Sequence, residues 1–369
     1  MNMIRLSKSS IGKNEKQAVL RVLNGEYLGM GTEVKNFEDM LSDFFGRPTV
    51  CVNSGTAAIQ LALQALGVGV GDEVLVQSLT FVATYQAVSA TGALPVSCEI
   101  NPWDISIDIE DAKRRLTSKT KAIIPVHYAS GVGKLDEVYS FAKKYDLRVI
   151  EDAAHAFGTV YSGHRVGGIG DIACFSFDGI KNITSGEGGA IVSEDESVIE
   201  KIKDARLLGV KKDTENRFKG RRSWEFDVVS QGWRYHMSNI MAAIGSEQLK
   251  RFPEMANKRK ALAGIYCDLL RVVDNIEPLA LDYENIVPHI FVVKVGQKKN
   301  ELRNFLIKNG IECGIHYYPN HRLSKYMTSY DLPKTDKVYS QLLTLPCHVD
   351  LPEKDLLYVV SKIKEFFDV

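Results

Sequence analysis

Short apolar runs alternate with stretches of helical apolar spacing between about residues 49 and 192. The apolar runs predict strands at residues 49–52, 73–77, 94–98, 122–126, 147–151 and 172–175. Apolar positions three and four apart predict helices at residues 56–66, 81–90 and 135–144. Such alternation is typical of a mostly parallel sheet flanked by helices, so we predict an α/β fold.

A second, smaller set of elements follows this sheet. A long helical stretch begins near Ser238, and we expect Pro253 to interrupt or restart it, because proline cannot donate the helical hydrogen bond. We therefore predict a large domain over residues 1–250 and a small C-terminal α/β domain over residues 251–369. The pattern in the small domain predicts strands at 290–295 and 311–315 and helices at 301–308 and 356–367.

Composition and charge narrow the class of protein. The 369 residues suffice for two domains, and 46 basic side chains balance 46 acidic ones, for a net charge of zero. This balance gives no sign of a nucleic-acid or membrane partner. Two short basic runs, at residues 211–212 and 219–222, are either solvated loops or loops that contact substrate phosphates.

Cysteine usage and the chain's apolar segments bear on the compartment. The six cysteines are scattered without a Cys-x-x-Cys pair, and Cys51, Cys98 and Cys174 lie in apolar runs. We interpret these three as core residues of a reduced, cytoplasmic protein. Residues 1–6 are too poor in apolar side chains for a signal peptide, and no segment approaches the length of a transmembrane helix.

Two residues point to the chemistry of the chain. Lys181 lies in a loop rich in small residues, upstream of the run 186–189 (Gly-Glu-Gly-Gly), and Asp152 follows the predicted strand 147–151. Pyridoxal phosphate chemistry needs this pair, because a lysine amine bonds to the cofactor aldehyde and a carboxylate keeps the pyridine nitrogen protonated. Taken alone, Asp152 could instead cap the segment that follows it.

A predicted strand-to-helix junction offers an anion site. Asn53-Ser54-Gly55-Thr56 ends a strand and opens a helix, whose first N–H groups and positive dipole end favour an anion. The Gly55 and Thr56 amides, with the Thr56 hydroxyl, would then hold the cofactor phosphate. The alternative is an ordinary helix cap by Ser54.

These segments resemble the DegT/StrS-like nucleotide-sugar aminotransferases, which are fold type I pyridoxal phosphate enzymes. The resemblance covers about residues 25–321 and rests on three motifs in order: Asn-Ser-Gly-Thr-Ala-Ala at 53–58, Glu-Asp-Ala-Ala at 151–154, and SFxxxKNxxxGEGG from Ser176. It implies the two-domain layout, pyridoxal 5'-phosphate as cofactor and Lys181 and Asp152 as catalytic residues.

The resemblance implies further cofactor contacts. The serine matching Ser176 binds the phosphate, the aromatic matching Phe81 stacks on the ring, and His155 would touch the ring hydroxyl. Without the resemblance, Ser176 would be a turn serine and Phe81 and His155 core residues.

Residues 232–238 match a family segment that enters the active site of a second subunit, which implies a homodimer with shared sites. This chain has Arg234 where the family commonly has Asn, and His236 where it has Arg. Arg234 is still expected to bind the partner's cofactor phosphate.

The expected substrate contacts lie in two segments and one histidine. Residues 25–31 and 316–321 resemble family segments around the substrate, so we expect Tyr27, Leu28, His289, His316 and Tyr317 to contact it. The histidines have no standard metal-ligand spacing, and the run 316–321 holds no carboxylate, so we predict no metal site.

The predicted function is transfer of an amino group from an amino acid, L-glutamate by resemblance, to a nucleotide-linked keto-deoxy sugar. The expected substrate is a dTDP-4-keto-6-deoxyhexose, and the product a 4-amino-4,6-dideoxy sugar for surface polysaccharide such as O-antigen. Amination at C3 and a non-catalytic regulatory protein of the same fold remain alternatives. Related sugar dehydratases replace the lysine by histidine, so the intact Lys181 argues against dehydration.

Overall fold

The computed structural model describes residues 3–368. Met1 and Asn2, part of the N-terminal stretch considered above, and Val369 lie outside the described residues. The strands are β1 (Thr49–Val52), β2 (Glu73–Gln77), β3 (Leu94–Cys98), β4 (Thr120–Ile124), β5 (Arg148–Asp152), β6 (Val160–Tyr161), β7 (His164–Arg165), β8 (Ile172–Ser176), β9 (Gly189–Ser193), β10 (Ile276–Pro278), β11 (Phe291–Val295) and β12 (Leu342–Leu345).

Twelve α-helices accompany these strands in the described part of the chain. They are α1 (Lys13–Asn24), α2 (Thr32–Phe45), α3 (Gly55–Ala65), α4 (Val82–Ala90), α5 (Ile109–Arg115), α6 (Leu135–Lys144), α7 (Glu196–Ala205), α8 (Asp213–Phe218), α9 (Asn239–Leu270), α10 (Lys299–Lys308), α11 (Pro333–Tyr339) and α12 (Glu353–Phe367). None of the helices between residues 3 and 368 is both long enough and apolar enough to span a bilayer.

The main sheet has seven strands in the order β1-β9-β8-β5-β4-β2-β3. All are parallel except β9, which runs antiparallel to both of its neighbours. The central strands are buried, as expected for a sheet covered by helices on both faces. The predicted mostly parallel α/β fold is confirmed, and the parallel strands deliver their following loops to one edge.

The outer edge of β1 is completed by side chains instead of a further strand. The Cys51 N–H donates to Glu38 at 2.7 Å, and Arg206 donates to the Cys51 carbonyl at 2.7 Å. Arg206 and Glu38 are buried and ion-paired with each other. Beyond them the Asn53 N–H donates to the Tyr235 carbonyl, so β1 is held in place up to the start of α3.

The C-terminal part of the chain carries a second sheet. Its strands β10, β11 and β12 pair antiparallel, and α9, α10 and α12 contact them or one another around an apolar cluster. The predicted interruption at Pro253 is wrong, because α9 continues through it. The predicted strand at 311–315 is also wrong, since only the single bridges of Ile311 and Gly314 form there. The division into two domains stays a prediction.

Candidate active site

A cavity of about 390 Å³ lies at the edge where the parallel strands end. Loops following β1, β2, β4, β5 and β8 and the segment before α11 contribute its walls. Nine residues predicted from the sequence line it: Gly55, Thr56, Phe81, Asp152, His155, Ser176, Lys181, His316 and Tyr317. The structure therefore brings together side chains that are up to 262 positions apart in the sequence, from Gly55 to Tyr317.

The junction of β1 and α3 forms one wall. Ser54 caps α3, because its hydroxyl accepts from the Ala57 N–H at 3.1 Å. A Cβ on Gly55 would lie 2.8 Å from the Ser176 Cβ, so only glycine allows the helix start to approach Ser176 this closely. The cap and the anion site are compatible, since Ser54 serves Ala57 while Gly55 and Thr56 line the cavity.

Asp152 ends β5 and is 5% exposed. The Thr84 hydroxyl donates to one carboxylate oxygen at 2.7 Å, and the Ala154 N–H donates to the other at 3.2 Å. Thr84 is itself buried on α4 and was not predicted as a site residue. The two donors hold both oxygens of the carboxylate in place, so Asp152 is positioned to accept a hydrogen bond from a protonated ring nitrogen.

Lys181 lies on the loop between β8 and β9, and its amine reaches the cavity. Burial lowers the pKa of this amine to about 8, although Asp178 and Asp152 favour the charged form. Its Nζ lies 3.4 Å from the Nε2 of His289. A substantial fraction of the amine is therefore neutral, and nucleophilic, near physiological pH.

Three imidazoles surround Lys181. The rings of His155 and His289 have centroids 4.4 Å apart, and burial together with the Lys181 charge lowers the pKa of both well below the usual value. The same two causes lower the pKa of His316 to about 4. All three rings are therefore neutral at physiological pH and add no charge to the cavity.

The turn at residues 128–131 supports these rings. The Ala129 N–H donates to His155 Nδ1 at 3.3 Å. The Ser130 hydroxyl lies within hydrogen-bond distance of the carbonyls of His155 and Val287 and accepts from the His289 N–H at 3.1 Å. Sequence reasoning did not find this turn, because its role depends on backbone geometry instead of residue type.

Four predicted residues lie away from the cavity wall. His289 is buried behind Lys181 and contacts it. Tyr27 and Leu28 direct their backbone carbonyls to Asn239 at the start of α9. Arg234 is exposed and lines a separate cavity of about 100 Å³. The structure describes a single chain, so the predicted contact of Arg234 with a second subunit stays a prediction.

The polar groups that border the cavity fit the cofactor implied by the resemblance. A helix N-terminus kept open by Gly55 suits a phosphate, a buried carboxylate suits a ring N–H, and an amine with a lowered pKa suits an aldehyde. All three border one cavity.

Comparison with known proteins agrees with this fit. Residues 9–364 match the model of the DegT/DnrJ/EryC1/StrS aminotransferase family. The chain is 34% identical over 368 residues to the spore coat polysaccharide biosynthesis protein SpsC of Bacillus subtilis, covering 96% of this chain and 95% of SpsC.

Solved structures of aminotransferases are also similar to this chain. The sugar aminotransferase Spr1654 of Streptococcus pneumoniae, described as putative and solved in its PLP form, superposes with a TM-score of 0.92 at 30% identity and 99% coverage of both chains. Its PMP form superposes equally well, with a TM-score of 0.92. Helicobacter pylori PseC, an aminotransferase of pseudoaminic acid biosynthesis, has a TM-score of 0.91 at 28% identity and covers 100% of both chains.

Proposed function

The chain belongs to the DegT/DnrJ/EryC1/StrS aminotransferase family, and we propose that it moves an amino group from L-glutamate to a nucleotide-linked keto-deoxy sugar. It is a sugar aminotransferase whose cofactor is pyridoxal phosphate, in keeping with neighbours solved in PLP and PMP forms. The observation that carries the proposal is the meeting of the Lys181 amine, the Asp152 carboxylate and the α3 N-terminus around one cavity.

Each of these groups has a proposed task. Pyridoxal phosphate, when bound, supplies an electron-accepting ring and a group that carries the amine between substrates. Lys181 would anchor it and then move a proton through its Nζ. Asp152, oriented by Thr84, would hold the proton on the ring nitrogen, and Phe81 would contact the ring. Gly55, Thr56 and Ser176 would bind the phosphate. Both ring nitrogens of His155 already have partners, the Ala129 N–H and the Tyr317 hydroxyl, so His155 would contact the cofactor through its ring and not through a hydrogen bond to the ring hydroxyl.

The acceptor that we propose is a dTDP-4-keto-6-deoxyhexose, giving a 4-amino-4,6-dideoxy sugar. Two named neighbours support a role in glycan synthesis, since SpsC is named for spore coat polysaccharide and PseC for pseudoaminic acid. We therefore assign the product to a surface polysaccharide such as O-antigen, with His316 and Tyr317 contacting the sugar. The six cysteines are unpaired, which is consistent with a cytoplasmic location.

A second copy of the chain would complete the site. Among the described residues that line the cavity, Lys181 is the only lysine, and there is no arginine. The same lining holds three carboxylates, those of Asp152, Asp178 and Glu187. The nucleoside diphosphate of the sugar substrate and a dicarboxylate amino donor are both anionic. Each needs cationic partners that the residues of this wall do not supply. We propose a homodimer in which Arg234 of one chain approaches the cofactor phosphate of the other.

The decisive experiment offers the purified protein L-glutamate and a panel of dTDP-, UDP- and GDP-linked 3-keto and 4-keto sugars. Mass spectrometry should detect a single amino sugar derived from a dTDP-4-keto sugar. Borohydride treatment of the resting protein should fix the cofactor on the peptide that contains Lys181. Bound cofactor without turnover of any pair would instead support a regulatory protein, and a labelled peptide without Lys181 would refute the anchor.

A further inference from the structure

The turn that supports His155 has an uncommon backbone. Ala129 and Ser130 have φ of 51° and 73°, so two consecutive residues with side chains adopt the left-handed conformation. Such conformations are costly and persist at functional sites where surrounding contacts over-determine them. Here the turn aims the Ala129 N–H at the ring of His155.

This contact fixes the tautomer of His155. A backbone N–H can only donate, so Nδ1 of His155 must accept and carries no proton. Burial and the nearby Lys181 charge lower the pKa of His155, which keeps the ring neutral. The ring proton is therefore on Nε2, which lies 3.0 Å from the hydroxyl oxygen of Tyr317. His155 is the donor in this pair and Tyr317 the acceptor.

The direction of this bond leaves the Tyr317 proton available. Tyr317 lines the cavity, and its ring centroid lies 5.3 Å from that of Phe81. Tyr128, the second tyrosine that lines the cavity, donates its hydroxyl proton to the His316 carbonyl. Thr84 donates its hydroxyl proton to Asp152. Burial raises the pKa of Tyr317, so its hydroxyl stays protonated.

We propose that Tyr317 is a catalytic residue that donates a hydrogen bond to the reacting carbonyl oxygen, and that His155, held by Ala129, is the positioning residue that sets this direction. The proposal rests on the aminotransferase function. In one half-reaction the oxygen belongs to the sugar ketone, and in the other to the keto acid formed from the donor. Negative charge develops on this oxygen when an amine adds to the carbon, and a preorganised donor stabilises it.

The first test is Tyr317→Phe, which removes the hydroxyl and keeps the ring. The rate constants of both half-reactions should fall about 100-fold, as when one donor to a developing oxyanion is removed. The dissociation constant of pyridoxal phosphate and the pH midpoint of its visible absorption should stay as in the unsubstituted protein. A shifted midpoint would mean that Tyr317 donates to the cofactor ring oxygen, and would overturn the proposal.

The second test reverses the polarity of the positioning residue. In His155→Gln the side chain can accept from Ala129 and donate to Tyr317, whereas in His155→Glu an ionised side chain can only accept, and captures the Tyr317 proton. Both variants should lose activity, but the rate constant of the glutamate variant should be about 10-fold lower than that of the glutamine variant. This ratio corresponds to a difference of about 1.4 kcal/mol in activation free energy. Equal losses in both variants, with comparable folding by circular dichroism, would contradict the assigned direction.

The third test needs no enzymatic activity and measures the unsubstituted protein. Proton-coupled ¹⁵N spectra of histidine-labelled protein should show His155 as the Nε2–H tautomer, with its signals assigned by their loss in His155→Gln. A proton on Nδ1 would refute the positioning argument. If the sugar panel gave no product, the glutamate half-reaction and these spectra would still test Tyr317 and His155 separately.

Discussion

Thr84 is the side-chain donor to the carboxylate of Asp152, and Thr84→Val tests how far that carboxylate depends on it. Thr84 is 1% and Asp152 5% exposed, and the bond between them measures 2.7 Å. Valine has the same shape but cannot donate, so within residues 3–368 Asp152 would keep the Ala154 N–H at 3.2 Å. Because a hydrogen bond to a charged group contributes about 1.5–3 kcal/mol, the free energy of unfolding of the cofactor-free protein should fall by that amount.

The matched control is Thr80→Val. Thr80 is equally buried, but its hydroxyl contacts Thr84 at 3.3 Å and does not reach Asp152. A neutral bond contributes about 1 kcal/mol or less, so this variant should lose clearly less stability. Urea unfolding with linear extrapolation measures both. Bound pyridoxal phosphate would give Asp152 a new partner. The free energy of unfolding that Thr84→Val loses should therefore be smaller in the cofactor-loaded protein. Equal losses in the two variants, or no change on loading, would refute the assignment of Thr84.

The remaining predictions concern Lys181, Asp152 and Arg234. The rate at which Lys181 bonds to added pyridoxal phosphate should rise with pH around a midpoint near 8, because burial lowers the amine's pKa to about that value and only the neutral amine attacks. Stopped-flow absorbance measures it, and a midpoint near the free lysine pKa of about 10.4 would contradict the burial effect. Asp152→Asn should keep its fold and bind cofactor but lose transamination by orders of magnitude, whereas near-normal activity with unchanged melting would make Asp152 only structural. Lys181→Ala and Arg234→Glu, each inactive alone, should regain partial activity when co-refolded, since a mixed dimer holds one intact shared site. No recovery in verified mixed dimers would speak against that arrangement.

The sequence pattern predicted six of the seven strands of the main sheet, because buried parallel strands are short, apolar and bounded by turn residues, but it did not predict the antiparallel β9. The strands at 49–52, 73–77 and 94–98 have the predicted bounds, and those of β4 and β5 differ by one or two residues. The error at Pro253 has a physical reason, since a proline removes one helical bond while packing on both sides still holds α9 together. Residues 311–315 are apolar enough for a strand, but form only isolated bridges.

For the site, motifs located the groups that are adjacent in sequence to strand ends. Lys181 and Asp152 could be found because their residue types, spacing and loop context are specific to one chemistry. Thr84 could not, since its contact with Asp152 spans 68 positions and a threonine on a helix carries no signal of its own. Neither of the two left-handed positions in the turn at residues 128–131 is a glycine that would mark the conformation, since they are Ala129 and Ser130.

The charge of the cavity explains why the motifs identify the reaction better than the sugar. In the described part of the chain, the wall holds three carboxylates, Asp152, Asp178 and Glu187, and one amine, that of Lys181. Burial, and then the neighbouring Asp178, raises the pKa of Glu187, so a further anion at this wall is unfavourable. The dipole of α3 and the Lys181 amine offset this negative charge where the cofactor phosphate would bind. They leave little positive charge for the diphosphate of a nucleotide-linked sugar. The proposed nucleotide-linked substrate therefore calls for cationic groups outside this wall, such as the basic residues 219–222 and Arg234 of the proposed second chain. The family match shows sugar amination, and the proposed choice of sugar depends on residues outside the three shared motifs.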